Sequence, residues 1–249
     1  MLASLGAAAY PMGMTHRRCL PRHLIALTWA VAMLGIGPAA LAAASGSGNP
    51  PKGPSATEQA VALYEQGHWA AAQAAFERLA AKGVPAADYN LGVMHLRKEL
   101  PEASMLEGLK RLTRAAERGF VTAMITLAQL HERGDVTGRK DLAQAYRWNR
   151  KAAETGHVEA QVETGTAHYL GRGADKDMAQ AAHWYREAAK QGETGAQYLL
   201  ASMYEHGLGV QRDLRLARYW YEQCARAGDL AAPGKLREVD RKLAHEAGQ

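Results

Sequence analysis

Between residues 122 and 230 the chain repeats itself at a fixed step, and that step limits the fold more than any other feature does. Trp148, Trp184 and Trp220 fall 36 residues apart, as do Asp141, Asp177 and Asp213, and Ala145, Ala181 and Ala217. The glycines Gly156, Gly192 and Gly228 keep the same spacing. A period of this length marks stacked helix-pair units, each of which buries its apolar face only against a neighbour. Helix-forming residues dominate, and no stretch alternates with period two for long enough to make a strand. The predicted fold is all-α, an α-solenoid of stacked antiparallel helix pairs.

Each recurring residue has a physical task in such a unit. The first helix of each copy begins near Ala123, Ala160 or Ala196. Four positions on stands Leu127, Thr164 or Leu200, followed by a small residue, Ala128, Gly165 or Ala201, that lets another helix approach. The connecting loops turn on Gly171 and Gly173, and on Gly207 and Gly209. Asp141, Asp177 and Asp213 then stand where a second helix needs an N-cap. Each tryptophan, with the alanine pair that follows it, is expected on the buried face of that helix. The closing glycine is expected at C′, in left-handed backbone.

The same phase extends outward from the three copies. Residues 84–121 form a degenerate copy, with Leu112 in the tryptophan's place and a glycine-free loop containing Pro101. With 122–158, 159–194 and 195–230 this makes four repeats over 84–230. Residues 57–83 read as a shorter helix pair with Thr57 as its first cap, and 231–249 as a C-terminal capping helix with Leu236, Val239 and Leu243 on one face. Residues 1–42 read as an export signal starting at Met14. Arg17, Arg18 and Arg22 precede the apolar run Leu24–Ile36, and Ala40-Leu41-Ala42 offers a cleavage site, with Ala44 as second choice. The apolar run is short of the roughly 20 residues that a membrane span needs, so no stable span is expected after cleavage. Residues 43–56, rich in Gly, Ser and Pro, read as a flexible linker. The expected location is periplasmic or secreted.

Charge and cysteine content narrow the partners. The formal charge is +5, from 30 basic and 25 acidic residues. Three of the basic residues lie in the expected signal, and without them 27 face 25, a net of +2. That balance does not point to nucleic acid. Cys19 also lies in the signal, which leaves Cys224 in a slot filled elsewhere by Ala115, Ala152 and Ala188. A small buried residue is expected there, not a nucleophile.

The pattern Ala-x3-Leu-Gly-x2-Tyr, Gly-x-Gly-Val, Asp, Ala-x2-Trp-Tyr-x2-Ala-Ala, Gly resembles Sel1-like repeats, relatives of the tetratricopeptide repeat. It is clearest in Leu200, Ala201, Tyr204, Gly207, Gly209, Val210, Asp213, Ala217, Trp220, Tyr221, Ala225 and Gly228, and covers about residues 86–230. Residues 57–82, with Trp69, Ala75 and Phe76, resemble a tetratricopeptide half-repeat. The resemblance implies an α-solenoid adaptor, with exported bacterial members linked to envelope assembly and signalling. One exported branch, linked to β-lactam binding or hydrolysis, carries disulfide-forming cysteines inside its repeats, and this chain does not. By resemblance to tetratricopeptide domains, the partner-facing slots lie two, six, nine and ten residues after the repeat alanine. These give Tyr89, Val93, Leu96 and Arg97; Ile125, Gln129, Glu132 and Arg133; Val162, Thr166, Tyr169 and Leu170; and Tyr198, Ser202, Glu205 and His206. Of these, Tyr89, Arg97, Gln129, Glu132, Arg133, Tyr169, Tyr198, Glu205 and His206 are the expected contacts.

No catalytic, cofactor or metal site is expected. His95, His131 and His168 occupy the family's tyrosine slot, but repeats stack about 10 Å apart. One metal needs its histidine nitrogens at about 2.0–2.1 Å. A helix–loop contact, or a proton-sensitive interface, are the readings left for these rings. His131-Glu132 lacks the second histidine of a zinc-protease motif, and no serine-nucleophile motif occurs in the repeats. The expected function is a non-enzymatic adaptor that binds a protein or peptide on the concave face. A structural part of a secretion or polysaccharide-export assembly is the alternative, and an enzyme of β-lactam or peptidoglycan chemistry comes third.

Overall fold

The computed structural model describes residues 54–248, so the expected signal over 1–42 and the expected linker up to residue 53 lie outside the described residues. The described residues form eleven α-helices and no strand. The first pair is α1 (Ala56–Glu65) and α2 (Trp69–Ala81). Four longer pairs follow: α3 (Pro85–Leu96) with α4 (Met105–Glu117), α5 (Val121–Arg133) with α6 (Leu142–Glu154), α7 (Val158–Leu170) with α8 (Met178–Lys190), and α9 (Thr194–His206) with α10 (Leu214–Arg226). A single helix, α11 (Ala232–Ala247), ends the stack. Each helix packs chiefly on its neighbours in sequence, as a solenoid requires.

The helix starts follow the capping chemistry. Asp141 accepts from Gln144 N, Asp177 from Ala179 and Gln180 N, and Asp213 from Arg215 and Leu216 N. Such a cap contributes about 1 kcal/mol. Each aspartate also ties its two helices together, because its own N–H donates to the carbonyl of His131, His168 or Tyr204 at 2.9–3.0 Å. Ser104 takes the same place before α4. At α1 the cap is Ser55, not Thr57, which lies inside the helix. Glu58, three residues after Ser55, returns a bond to its N–H and completes a capping box that Thr57 lacks.

The second helices end alike. Gly119, Gly156, Gly192 and Gly228 have φ of 86–93°, and the N–H after each glycine reaches back to Ala115, Ala152, Ala188 or Cys224. The loop glycines Gly173 and Gly209 do something different. A Cβ on Gly173 would come within 2.1 Å of the Leu142 carbonyl oxygen, and one on Gly209 within 2.1 Å of Met178. Each loop therefore rests directly on the backbone that opens the preceding repeat's second helix.

Packing corrects two expectations. In the last two repeats the fully buried aromatics are Tyr185 (1%) and Tyr221 (0%), not the tryptophans beside them. Trp184 lies half-buried against the core cluster around Ala152, Ala153 and Ala160, and Trp220 against the one around Ala181 and Ala188. The indole spans a repeat boundary, while the tyrosine fills the interior of its own pair. Gly165 has no Cβ because the Tyr185 ring already stands 2.9 Å from where one would be. In the degenerate repeat, Leu112 (0%) takes the tyrosine's place, and Arg111 takes the tryptophan's.

A further regularity joins the residue after the repeat alanine to the C-cap of the same repeat's second helix. Gln191 Nε2 donates to Gln161 Oε1 at 2.9 Å, and Arg118 pairs with Asp88 at 3.1 Å. In the last repeat the cap is Ala227, and the buried Gln197 Oε1 has no partner. Ala227→Gln should supply the missing donor and raise stability by about 1 kcal/mol; an unchanged or lowered thermal midpoint by circular dichroism would contradict it. Gly209→Ala should cost about 2 kcal/mol or more, since both φ and the Met178 backbone oppose a side chain. Gly192→Ala, with positive φ but no neighbour within 4 Å, should cost about half as much.

Candidate partner-binding face

The first helices α3, α5, α7 and α9 carry the expected contact residues, save Arg97, which caps the C-terminus of α3, and the structure sorts those residues into three groups. Some brace the stack. The Tyr89 ring packs on Phe120 at 5.2 Å, and Tyr198 stands edge-on to Tyr221 at the same distance. Arg97 Nη1 donates to Tyr64 Oη at 2.9 Å, and Tyr64 Oη donates to Glu99 at 3.0 Å, which fastens α1 to the end of α3. Others remain at the surface. Arg133 pairs with its neighbour Asp135 at 2.7 Å, and His206 stays exposed with Nδ1 2.9 Å from Ser202 O. Gln129 and Tyr169 are half-buried on the same face.

Glu205 departs from the expectation. It is 2% exposed and lies under α11, where Tyr221 Oη donates to it at 2.9 Å and Lys242 Nζ at 2.6 Å. Lys235 stands 3.8 Å away. The slot faces outward in an interior repeat but is covered in the last one, because α11 sits where a further first helix would begin. Glu205 is thus part of the end seal and not a partner contact.

Glu132 opens onto a cleft between α5 and α7, floored by α6. Its carboxylate is 3.6 Å from Arg172 of the next repeat, and Tyr146, Asn149, Glu163 and Thr166 complete the polar lining. The Glu163 carboxyl has a raised pKa, first because the cleft walls strip water from it and then because Glu132 is negative; Arg172 acts in the opposite sense. Position-by-position counting missed Glu163, Tyr146 and Arg172. Glu163 lies three residues before Thr166 on the same helix face, a spacing that could have flagged it.

The three histidines have three different surroundings. His95 Nδ1 accepts from Ser104 N at 3.3 Å. His131 Nδ1 is buried without a partner. His168 lies 3.0 Å from Tyr146 Oη through Nε2 and 3.2 Å from Asp175 O through Nδ1. His95 and His168 thus tie their helix ends to the following loops, and His131 does not do so through Nδ1. Cys224 is buried, with Sγ 3.6 Å from Thr194 O, and burial pushes its thiol up to about 12, far from a reactive thiolate at neutral pH. Among the described residues no helix is long and apolar enough to cross a membrane.

The end seal has a defined pH window. Hydrogen bonds from Lys242 and Lys235 hold Glu238 down at about 2. A carboxylate whose pKa falls on folding contributes stability above its unfolded pKa and loses that contribution as pH drops through the folded value. Amide exchange in α11 should therefore accelerate between pH 4.5 and about 2, ahead of α5–α8. Lys242→Met should open α11 at neutral pH, at a cost of about 2 kcal/mol, because Glu205 then keeps its burial without its closest cation. Exchange rates in α11 that match wild type would overturn this.

Similarity to known proteins agrees with this geometry. The Sel1 repeat matches residues 79–98, 121–157, 158–193 and 194–229. The crystal structure of c5321, a protective antigen of uropathogenic Escherichia coli strains displaying an SLR fold, is similar with a TM-score of 0.63 at 30% identity, over 76% of this chain and 41% of its own. A Sel1 repeat protein from Oxalobacter formigenes is similar with a TM-score of 0.57 at 32% identity, over 68% of this chain and 49% of its own. This chain spans less than half the length of either. No curated protein sequence gives a match.

Proposed function

The chain belongs to the Sel1 repeat family, and from that premise we propose that it is a non-enzymatic adaptor of the bacterial envelope, holding a protein or peptide on its first-helix face. Proteins of this family are generally protein-interaction scaffolds. The observation that carries the reading is the cleft between α5 and α7, where Glu132, Glu163 and Arg172 stand among the hydroxyls and amide of Tyr146, Thr166 and Asn149. Paired carboxylates beside one guanidinium, with neutral donors around them, suit a polypeptide whose backbone and side chains offer both donors and acceptors. The basic, apolar and small-residue order of residues 14–42 supports export, with a mature chain starting at Ala43.

A photo-crosslinking residue at Gln129 or Thr166 should capture one defined envelope protein in intact cells. The same residue at Leu106, which projects from the second-helix side, should capture it at background level. The adduct should be recovered from the periplasmic fraction with Ala43 at its N-terminus. Glu163→Lys should cut capture at least tenfold, because it reverses the charge that faces the cleft. Equal capture from Leu106 and Gln129 would overturn the assignment of the face, and a cytoplasmic adduct would overturn the envelope role.

A further inference from the structure

The first full repeat holds a charge cluster that the other repeats lack. Asp88, one residue after the repeat alanine of α3, is fully buried. Three arginines surround it, two on α4 and the third, Arg118, at its C-cap. Arg111 and Arg118 donate through Nη1 at 3.2 and 3.1 Å, and Arg114 Nη1 stands 3.5 Å away. The same slot holds Met124, Gln161 and Gln197 in the later repeats. Gln161 and Gln191 close that junction with one neutral bond, so stacking does not require ions there. A carboxylate buried under guanidiniums is a weak source of stability compared with neutral packing. α4 is also the helix that falls between the matched stretches 79–98 and 121–157.

The arginines offer more donors than Asp88 uses. A guanidinium has five N–H groups. Asp88 meets one nitrogen each of Arg114 and Arg118, whose side chains are 41% and 43% exposed. Arg111 is shared with Glu107 through Nε at 3.0 Å. One repeat step earlier, Arg78 and Lys82 on and just after α2 occupy the phase of Arg114 and Arg118, 36 residues before each. Both are exposed and neither has an acidic partner among the described residues. Glu77 and Glu117 each precede an arginine by one residue and so point about 100° away around the helix. In the next repeats the row continues with Lys151, held over Trp148 at 4.5 Å, and stops at Glu187.

We propose that Arg78, Lys82, Arg114 and Arg118, the latter pair set by buried Asp88, form a docking site for an acidic polypeptide segment. It lies on the second helices and is separate from the first-helix face proposed above. Guanidinium forks favour carboxylates, which they meet bidentately. Within each helix the two cations are one turn apart, about 6 Å, which matches alternate side chains of an extended strand at about 6.8 Å. A bilayer surface would call for apolar side chains among the cations. The exposed Trp69, Met105 and Leu106 lie instead at the opposite, N-terminal ends of α2 and α4.

The test is fluorescence anisotropy of a fluorescein-labelled peptide of alternating Glu and Ser, titrated with the full-length mature protein. Binding should weaken about tenfold on raising salt from about 0.05 M to about 0.3 M, as expected of partly exposed charges. Arg78→Ala/Lys82→Ala should weaken it at least tenfold with no change in thermal midpoint, because neither side chain contacts an acid. Adding Arg114→Ala should abolish it. Lys190→Ala/Arg226→Ala, which removes cations already paired with Glu187 and Glu222, should leave binding intact. Absence of binding by wild type, equal binding by the Arg78/Lys82 variant, or preference for phosphatidylglycerol vesicles over the peptide would overturn the proposal. None of these outcomes depends on the first-helix cleft, so the two proposals succeed or fail separately.

Discussion

The stack depends on backbone meeting backbone at one point in each regular repeat boundary. Gly173 rests on the carbonyl of Leu142 and Gly209 on that of Met178, at distances no side chain allows. Everything else in the repeat serves that contact. The aspartate that caps the second helix also donates its N–H to the end of the first, which fixes the loop carrying the glycine. The C′ glycine at the far end sets where the next first helix starts. Because both turns are held by hydrogen bonds within the loops, the angle between repeats is set locally, and side chains on the helix faces are left to vary.

That division explains what the sequence made legible. Caps, turns and the all-helical stack recur in register, and recurrence is visible without coordinates. Recurrence could not rank neighbours, however. Trp184 belongs to the more regular series, since Asn149 breaks the one to which Tyr185 belongs, yet only the tyrosine is enclosed, because which of two adjacent residues faces inward depends on how far the helix is rotated. Leu112 stands 36 residues before Trp148, but the step between those two repeats is 37, as from Gly119 to Gly156, so Arg111 holds the tryptophan's phase.

Features that occur once were harder to read. Asp88 breaks the period, so reading by period passed over it, although a carboxylate with arginines 23, 26 and 30 residues later was present in the chain. Glu205 was misassigned for the opposite reason. Its slot is open in any interior repeat, and only the position of α11 closes it. Glu163 lay outside the slots carried over from tetratricopeptide domains, which mark contacts at fixed offsets and not the walls of a cleft between two repeats.

The single helix at the end has a consequence for assembly. A solenoid offers two unlike ends, and a head-to-tail contact between unlike ends does not close on itself but grows into a filament. Here the trailing end is covered by α11, whose Val239 fills the last apolar gap while Lys242 and Lys235 engage Glu205 and Glu238. A further helix pair or a second molecule docking on that side of α9 and α10 would have to displace α11 and break this ion network first.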